Sequence, residues 1–468
     1  MSAPPVLLVG VDIGTTLTKA GIVDDRGREI ARTSVPTSWD VTATGGEVDA
    51  EALVASVRAA LVELLALAPA GEVAGVGVTS MAETVVLLDS SDDAVAPAVA
   101  WYDSRAAAEH AQLLDEFGEA FARTTGLGTS QIPTIATLRW LTRNVPATRS
   151  AVRALGVAEW VVHRLGGDAG AEASLASRTG ALAVGAREWW PEALDWAGMP
   201  ASLFPPVRQA GSAFGTVAAL GAGLERLDGA VLTVAGHDHL CASVGNGVTR
   251  PDQVMDSCGT AEALLRSVAV HAAPEPAAGL ELGIETGCHV LPDSFALVGG
   301  LALGLVLIPL LAKLGERAEH GCTALDADAL LLEVEGVRDL SDPCGPVPAV
   351  GALRVADETA GWPVPRAGEA PALTWRRALA RAVSGSRRLL DGLEQLGGPV
   401  SEVRLSGGWS ANPVLRELKG AVIARPVYPL VAEAGVRGAA LLSGLAAGRF
   451  ATIGDLPEPA LDGELVMP

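Results

Sequence analysis

The chain has few aromatic residues, few cysteines and few basic residues for its size. Aromatic side chains make up 4% of its 468 residues, and there are 34 lysines and arginines against 55 aspartates and glutamates, a formal net charge of −21. Nucleic acids and anionic membranes are bound by basic surfaces. This composition predicts neither kind of partner, and it requires that any bound phosphate be held by backbone amides, hydroxyl groups and Mg²⁺.

The cysteines are too few and too scattered for a disulfide framework or for a CxxC metal site. Reduced thiols of this kind are typical of cytosolic proteins. The first ten residues lack the basic and long apolar segments of a secretory signal, so we expect a cytoplasmic protein. The five cysteines are Cys241, Cys258, Cys288, Cys322 and Cys344.

One hydrophobic run, at residues 295–312, approaches the length of a membrane span. Gly299, Gly300, Gly304 and Pro309 interrupt it. Glycine and proline at these positions predict a buried strand, a turn and a short helix. We therefore expect no membrane-spanning segment.

The length and the 49% hydrophobic content predict two domains, which we place at residues 1–245 and 246–468, with a ligand cleft between them. Short β-branched runs alternate with amphipathic segments, and this alternation predicts an α/β fold. The expected strands are residues 6–11, 20–23, 73–78, 84–88, 231–235, 254–257, 290–298 and 403–405. The expected helices are residues 48–67, 240–248, 374–396 and 432–447.

The turn after the first strand reads Asp12-Ile13-Gly14-Thr15-Thr16. Glycine lets backbone amides approach anionic oxygens, threonine hydroxyls add donors, and a carboxylate at a strand end can hold hydrated Mg²⁺. The Walker pattern of P-loop proteins is missing, so this phosphate site would be a hairpin. A structural hairpin with a solvated Asp12 is the alternative.

Two later segments also carry chemistry. Asp256, Gly259 and Thr260 repeat the strand, carboxylate and Gly-Thr order of the first turn. Asp238 follows a buried strand and opens a helix, where it serves either as a general base or as a simple helix cap. The histidines beside it lack a third metal ligand nearby in sequence, so we expect no zinc site.

Taken in order, these motifs and those below resemble the FGGY family of carbohydrate kinases, of the sugar kinase, heat-shock protein and actin superfamily. The resemblance extends over nearly the whole chain. It implies two ribonuclease-H-like (actin-like ATPase) domains flanking a catalytic cleft. It also implies transfer of the γ-phosphate of ATP to a hydroxyl of a small ketose, for example xylulose- or fuculose-like, or of a polyol. A homodimer is expected from the resemblance alone.

The resemblance assigns nucleotide-binding roles to three turns. Asp12 would bind the Mg²⁺ of Mg²⁺·ATP, and Thr15 and Thr16 would approach its phosphates. Lys19 is either a phosphate ligand or simply a solvated residue. The implied nucleotide-binding residues are Asp12, Gly14, Thr15, Thr16, Lys19, Gly259, Thr260, Gly407, Gly408 and Asn412.

The resemblance assigns the sugar to two further segments. Met81, Ala82 and Glu83 would bind substrate hydroxyls, and Trp101 would cover its C–H bonds, with Asp238 as the catalytic base that also contacts the substrate. Asp103 either contacts the sugar or forms an internal ion pair with Arg105.

The chain also departs from the family pattern. Residues 345–371 match it poorly, and the role of the excursion at residues 341–371 is not evident. Thr260 is not followed by the aromatic residue of some polyol-specific members, so the substrate stays open. An actin-like or chaperone-like ATPase and a catalytically silent sugar-binding regulator are the alternative functions.

Overall fold

The computed structural model describes residues 5–129, 132–332, 368–430 and 433–460. Most of the 341–371 excursion and the start of the helix expected at residue 432 therefore lie outside the described residues. The first large sheet has the strand order β14-β6-β1-β2-β3. The strands β1, β2 and β3 are antiparallel neighbours, whereas β6 runs parallel to β1, and β14 runs parallel to β6. Its strands are β1 (Val6–Ile13), β2 (Leu17–Asp24), β3 (Glu29–Pro36), β6 (Glu72–Ser80) and β14 (Val231–His237).

The second large sheet repeats this topology. In its order β17-β18-β16-β15-β19-β20, β15 pairs antiparallel with β16 and parallel with β19, as β1 does with β2 and β6. The repeat of the Asp and Gly-Thr pattern therefore falls at the end of the equivalent strand. The strands are β15 (Gln253–Cys258), β16 (Glu262–Ala269), β17 (Ile284–Cys288), β18 (Ser294–Leu301), β19 (Glu402–Ser406) and β20 (Val427–Pro429).

Helices cover these sheets, and short strand pairs complete the fold. The helices are α1 (Ala50–Leu67), α2 (Ala107–Phe117), α3 (Glu119–Thr125), α4 (Thr134–Asn144), α5 (Val157–Arg164), α6 (Ala173–Ser177), α7 (Pro191–Ala197), α8 (Asp238–Gly245), α9 (Gly304–Lys313), α10 (Asp326–Leu330), α11 (Pro371–Gly397), α12 (Pro413–Ile423) and α13 (Ala434–Ala446). The short strands are β4 (Asp40–Val41), β5 (Gly46–Val48), β7 (Val85–Leu88), β8 (Ala98–Val99), β9 (Arg153–Gly156), β10 (Ala171–Glu172), β11 (Leu182–Ala183), β12 (Glu188–Trp189) and β13 (Val207–Arg208).

One expectation about residues 290–312 is wrong and one is confirmed. Residues 290–298 are not one strand, because β17 ends before Val290 and β18 begins after it, in an antiparallel pair. The predicted order of strand, turn and short helix is confirmed by β18 and α9, although Gly299 and Gly300 lie within β18 and Pro309 lies inside α9. Among the described residues, every helix falls short of the length and apolar character needed to cross a membrane.

The last helix returns to the first sheet. Helix α13 packs on β1, β6 and α8, at a separation that only glycine allows. A Cβ at Gly10 would lie 1.9 Å from the carbonyl oxygen of Val436, and one at Gly77 would lie 2.0 Å from that of Ala439. This close packing brings residues near 433 next to the turn after β1. The domain division at residue 245 stays a prediction.

Candidate active site

The first phosphate turn is a tight hairpin held by two tryptophans. The amide of Gly14 donates to the carbonyl oxygen of Leu17 (3.0 Å) and closes the turn between β1 and β2. The indole N–H of Trp39 donates to the backbone oxygen of Thr15 (2.8 Å), and that of Trp101 donates to the Thr15 hydroxyl (3.0 Å). The Thr15 hydroxyl is thereby an acceptor toward Trp101, so its own hydrogen is free to point at another acceptor.

Asp12 lies at the end of β1 with its carboxylate packed against α13. A Cβ at Gly435 would lie 2.4 Å from its Oδ2. Its Oδ1 is buried and finds no hydrogen-bond donor among the described residues. Burial and the charge of Asp238 raise the pKa of Asp12 to about 7. A buried carboxylate oxygen without a hydrogen-bond donor is a suitable ligand for Mg²⁺. The charge of the bound ion would offset both the cost of burying the Asp12 carboxylate and its repulsion by Asp238.

Lys19 forms an ion pair, and its predicted role as a phosphate ligand stays a prediction. Its ammonium nitrogen lies 2.7 Å from Oε2 of Glu433, the residue directly before α13. The guanidinium of Arg32 lies 3.7 Å from Oε1 of the same carboxylate. Glu433 also acts on Asp12 by its charge. The crossing of α13 therefore places an additional acidic residue beside the first phosphate turn.

Asp238 is the first residue of α8, directly after β14. Its Oδ1 accepts a hydrogen bond from the backbone amide of His239 (2.7 Å), and Nε2 of His237 lies 3.2 Å from the same oxygen. Burial lowers the pKa of His237 to about 3, so this imidazole is neutral at pH 7. Because the amide of His239 already occupies Oδ1, Oδ2 is the better placed of the two oxygens to accept a proton.

A buried network fixes the backbone that carries Asp238. Gly236 has φ +87°, and a Cβ there would lie 2.5 Å from Oγ of Ser174 and 2.9 Å from Oε2 of Glu172. The Ser174 hydroxyl donates to Glu172 (2.5 Å) and accepts from the amide of His237 (2.9 Å). Burial raises the pKa of Glu172 to about 7.

Glu83 carries a strained backbone and a buried charge. Its φ of 58° lies in the left-handed region that side chains other than glycine and asparagine seldom adopt. Its Oε1 lies 2.6 Å from Nε of Arg178, and Nη1 of Arg178 lies 2.6 Å from Oε2 of Glu285 on β17. Met81 and Ala82 are buried beside it, with 4% and 3% of their surfaces exposed, and both line the same cavity as Glu83.

Asp103 forms the internal ion pair with Arg105 (2.9 Å), which also reaches Glu47 (3.0 Å). It further accepts from the amide of Gly46 (3.0 Å). Burial opposes its ionisation, but the hydrogen bonds from Arg105 outweigh that effect and lower the pKa of Asp103 to about 2. In this structure Asp103 therefore shapes the loop behind Trp101, and its role as a sugar ligand is not supported.

The second phosphate turn packs against β19 and α9. Gly259 donates its amide to the oxygen of Ala261 (2.9 Å), and the oxygen of Thr260 accepts from the amide of Leu305 in α9 (2.9 Å). Gly407 has φ +88°, and a Cβ there would lie 2.5 Å from the oxygen of Cys258. Thr260, Gly407 and Gly408 are all exposed, so backbone from two strand ends is available to one ligand.

Asn412 is held by hydrogen bonds within the protein. Its Oδ1 caps α12 by accepting from the amide of Leu415 (2.9 Å), and its Nδ2 donates to Gly321 and Asp326, each at 3.0 Å. The residue is fully buried. Its side chain therefore fixes the turn at residues 407–412, and its nucleotide contact stays a prediction.

The carboxylate of the second turn also differs from that of the first. Asp256, Cys258 and Glu262 form the group with metal-ligand spacing found among the described residues. The ammonium of Lys419 contacts Asp256 and lies 2.7 Å from Glu262 and 3.1 Å from the Ser386 hydroxyl. The neighbouring carboxylates raise the pKa of Lys419 well above its ordinary value. A protonated lysine thus occupies the place that a metal would take.

Sequence reasoning missed five residues of this site. All five come from segments that are distant in sequence from the predicted motifs, so no local motif identifies them. The only signal is weak: a basic or acidic residue within an apolar segment indicates that it is buried beside an oppositely charged partner. They are Trp39, Arg178, Glu285, Lys419 and Glu433.

The profile of the FGGY family of carbohydrate kinases, N-terminal domain, matches residues 7–245, and that of the C-terminal domain matches residues 363–447. A glycerol kinase of Aromatoleum aromaticum is 29% identical over 96% of this chain and 92% of its own length. An L-fuculokinase of Escherichia coli is 26% identical over 95% and 93%. The crystal structure of xylulose kinase from Rhodospirillum rubrum, 25% identical, covers 99% of this chain and 94% of its own with a TM-score of 0.83.

The predicted fold of two actin-like ATPase domains is confirmed by these structural neighbours, and the repeated sheet topology is what such a fold requires. Since the matched residues make up more than half of the chain and occur in the expected order, the protein belongs to the FGGY family of carbohydrate kinases, which phosphorylate a sugar or polyol at the expense of ATP.

Proposed function

We propose that the protein transfers the γ-phosphate of Mg²⁺·ATP to a hydroxyl of a small ketose, such as a xylulose- or fuculose-like sugar, or of a polyol, with Asp238 as general base. The observation that carries this proposal is the position of Asp238. Ser80, the last residue of β6, pairs with Ile13 of β1 on one side and with His237 of β14 on the other. Asp12, Glu83 and Asp238 therefore stand at or just after the ends of three neighbouring strands, which supports one site for the phosphates, the sugar and the proposed base.

The two glycine turns would hold the nucleotide from opposite sides. Thr15, Thr16 and the amides around Gly14 face the β- and γ-phosphates, and Thr260 with Gly407 and Gly408 binds from the second sheet. Asp12 would hold Mg²⁺, which supplies charge neutralisation for the phosphates when bound. In-line phosphoryl transfer depends chiefly on such positioning.

Asp238 would then accept the hydroxyl proton. As the substrate oxygen forms its bond to the γ-phosphorus, its proton passes to Oδ2 of Asp238, and the bond from phosphorus to the bridging oxygen of ADP breaks. The hydrogen bond from the amide of His239 to Oδ1 supports this orientation of the carboxylate. General-base catalysis of this kind contributes about 10²–10⁴ in rate.

The test is a coupled assay of ADP release with Mg²⁺·ATP over ketopentoses, deoxyketoses, alditols and glycerol. We expect ADP to form only when a suitable sugar is added, together with a sugar phosphate detectable by mass spectrometry. Rapid ADP release without sugar would instead indicate the ATPase. Sugar-induced thermal stabilisation without ADP release would indicate the silent regulator.

A further inference from the structure

The expected sugar site contains a cation shared between two carboxylates. Arg178, the residue directly after α6, holds Glu83 with Nε and Glu285 with Nη1, both at 2.6 Å. The side chains are 14%, 6% and 21% exposed, respectively. At such short distances and low exposure, the pairing of these charges is strong and weakly screened by salt.

Glu285 enters the site from the second sheet. It lies on β17, and its other oxygen accepts a hydrogen bond from the amide of Gly128 (2.8 Å), in the connection after α3. The adjacent Thr286 donates its amide to Gly126 (3.1 Å). Glu285 is therefore held on both sides, and its charge has a fixed position relative to Arg178.

Arg178, Glu83 and Glu285 lie close to the proposed base. Glu83 follows β6, whose last residue Ser80 pairs with His237, the residue before Asp238. Two carboxylates, those of Glu83 and Glu285, contact the single guanidinium of Arg178. The net charge of this region is negative, which disfavours an anionic ligand and suits hydroxyl groups, which donate to carboxylates.

We propose that Glu285, by neutralising Arg178 together with Glu83, restricts the sugar site to uncharged sugars and polyols and rejects sugar acids. This inference rests on the proposed function and names its substrate class. Glu285 is thus a specificity-determining residue from the second half of the chain. Without its charge, the guanidinium of Arg178 would lose one of the two carboxylates that it contacts and could attract a substrate carboxylate.

The test compares kcat/KM for the best neutral substrate with kcat/KM for the aldonate of the same carbon number, in wild-type and Glu285→Gln protein. We expect the wild type to prefer the neutral substrate by about 100-fold or more. Glu285→Gln is expected to shift this ratio toward the aldonate by about 10-fold, through KM for the sugar, with KM for ATP unchanged. Glu285→Asp keeps the charge and is expected to keep the wild-type ratio.

A matched control is Glu417→Gln, which removes from α12 a carboxylate that lies 2.8 Å from the guanidinium of Arg376 on α11. It is expected to leave the ratio unchanged. The proposal is overturned if the wild type uses the aldonate as well as the neutral substrate, if Glu285→Gln loses both equally, or if the control shows the same shift.

A failure of the proposed function can be told apart from a failure of this inference. If the wild type phosphorylates no sugar, the kinase assignment fails. Selection between neutral and acidic sugars is then tested by measuring how well each sugar binds. The measurement is the change in melting temperature that each sugar produces in wild-type and Glu285→Gln protein. Stabilisation of the wild type by the neutral sugar but not by the aldonate, with the difference reduced in the variant, supports the inference, and equal stabilisation by both sugars contradicts it.

Discussion

Asp238 is the proposed general base and also accepts a hydrogen bond from the backbone, and these two roles can be separated. Asparagine keeps an oxygen that can accept from the amide of His239 but cannot take a proton. We expect Asp238→Asn to bind Mg²⁺·ATP normally and to lower kcat by about 10²–10⁴. Nucleotide binding by calorimetry and kcat by the coupled assay check this. A kcat near the wild-type value would remove the general-base assignment.

Asp12 is expected to respond differently, because its proposed role is to anchor the metal. Asp12→Ala is predicted to raise the apparent KM for Mg²⁺·ATP and to lower kcat together, since anchoring and positioning fail at once. Titration of activity with Mg²⁺ at fixed ATP measures the effect. The control is Asp25→Ala, an exposed carboxylate in the turn after β2. An unchanged Mg²⁺ dependence in Asp12→Ala would mean that this carboxylate is structural.

Glu172 predicts a pH dependence of stability. Burial raises its pKa from 4.5 to about 7, so the folded state binds its proton more tightly than the unfolded state does. The protonated Glu172 side chain stabilises the folded state below about pH 4.5, and this stabilisation is lost as the pH rises through 7. The free energy of unfolding changes by about 3 kcal/mol as a result. Denaturant midpoints at pH 5 and 7.5 are expected to differ less in Glu172→Gln than in the wild type. Equal differences in the two proteins would contradict the assignment.

At the scale of elements, the first phosphate turn is coupled to the sugar site through Trp101. Its ring is expected to cover the sugar, while its indole N–H orients the Thr15 hydroxyl. Trp101→Phe keeps an apolar face but loses the donor, so we expect a several-fold loss in kcat/KM for ATP with little change in KM for the sugar. Trp101→Ala is expected to impair both. Equal sugar KM values in the two variants would argue against a covering role.

The elements that sequence reasoning predicted are those with local causes. The turns after β1, β14 and β15 were recognisable because strand, glycine and polar residue are adjacent in sequence, and α1 and α11 because their apolar spacing is helical. The pairs that complete the site join residues far apart, 414 positions for Lys19 and Glu433 and 107 for Arg178 and Glu285. Such pairs depend on strand order and helix crossing, which a single sequence does not display.

The same distinction applies to two residues whose side-chain partners the sequence does not reveal. Asn412 occupies the expected place in its motif, but its amide is used by the cap of α12 and by Asp326. Asp256 repeats the position of Asp12, yet Lys419 neutralises it from α12. In both cases the position along the chain was right, while the chemistry was decided by a partner that only the fold supplies.

At the scale of the whole molecule, the proposed mechanism requires both sheets to approach one nucleotide and Asp238 to meet a sugar held by Glu83 and Trp101. We predict that sugar binding closes the cleft and excludes water, the competing acceptor at roughly 55 M. An open site that is incompletely assembled would explain slow hydrolysis despite an intact Asp238. Small-angle X-ray scattering is expected to show a smaller radius of gyration when both sugar and a non-hydrolysable nucleotide are present. The molecular mass obtained from the same scattering data tests the expected homodimer.

Asp238→Asn is the informative control for this prediction, because closure depends on ligand contacts and not on proton transfer. The variant is expected to compact as the wild type does while turning over far more slowly. Hydrolysis of ATP without sugar is expected to be much slower than phosphorylation of the best sugar, since only the closed site places an acceptor oxygen in line with the γ-phosphate. If the unliganded protein hydrolyses ATP as fast as it phosphorylates that sugar, and no compaction occurs, induced closure is wrong and the actin-like or chaperone-like ATPase becomes the better account.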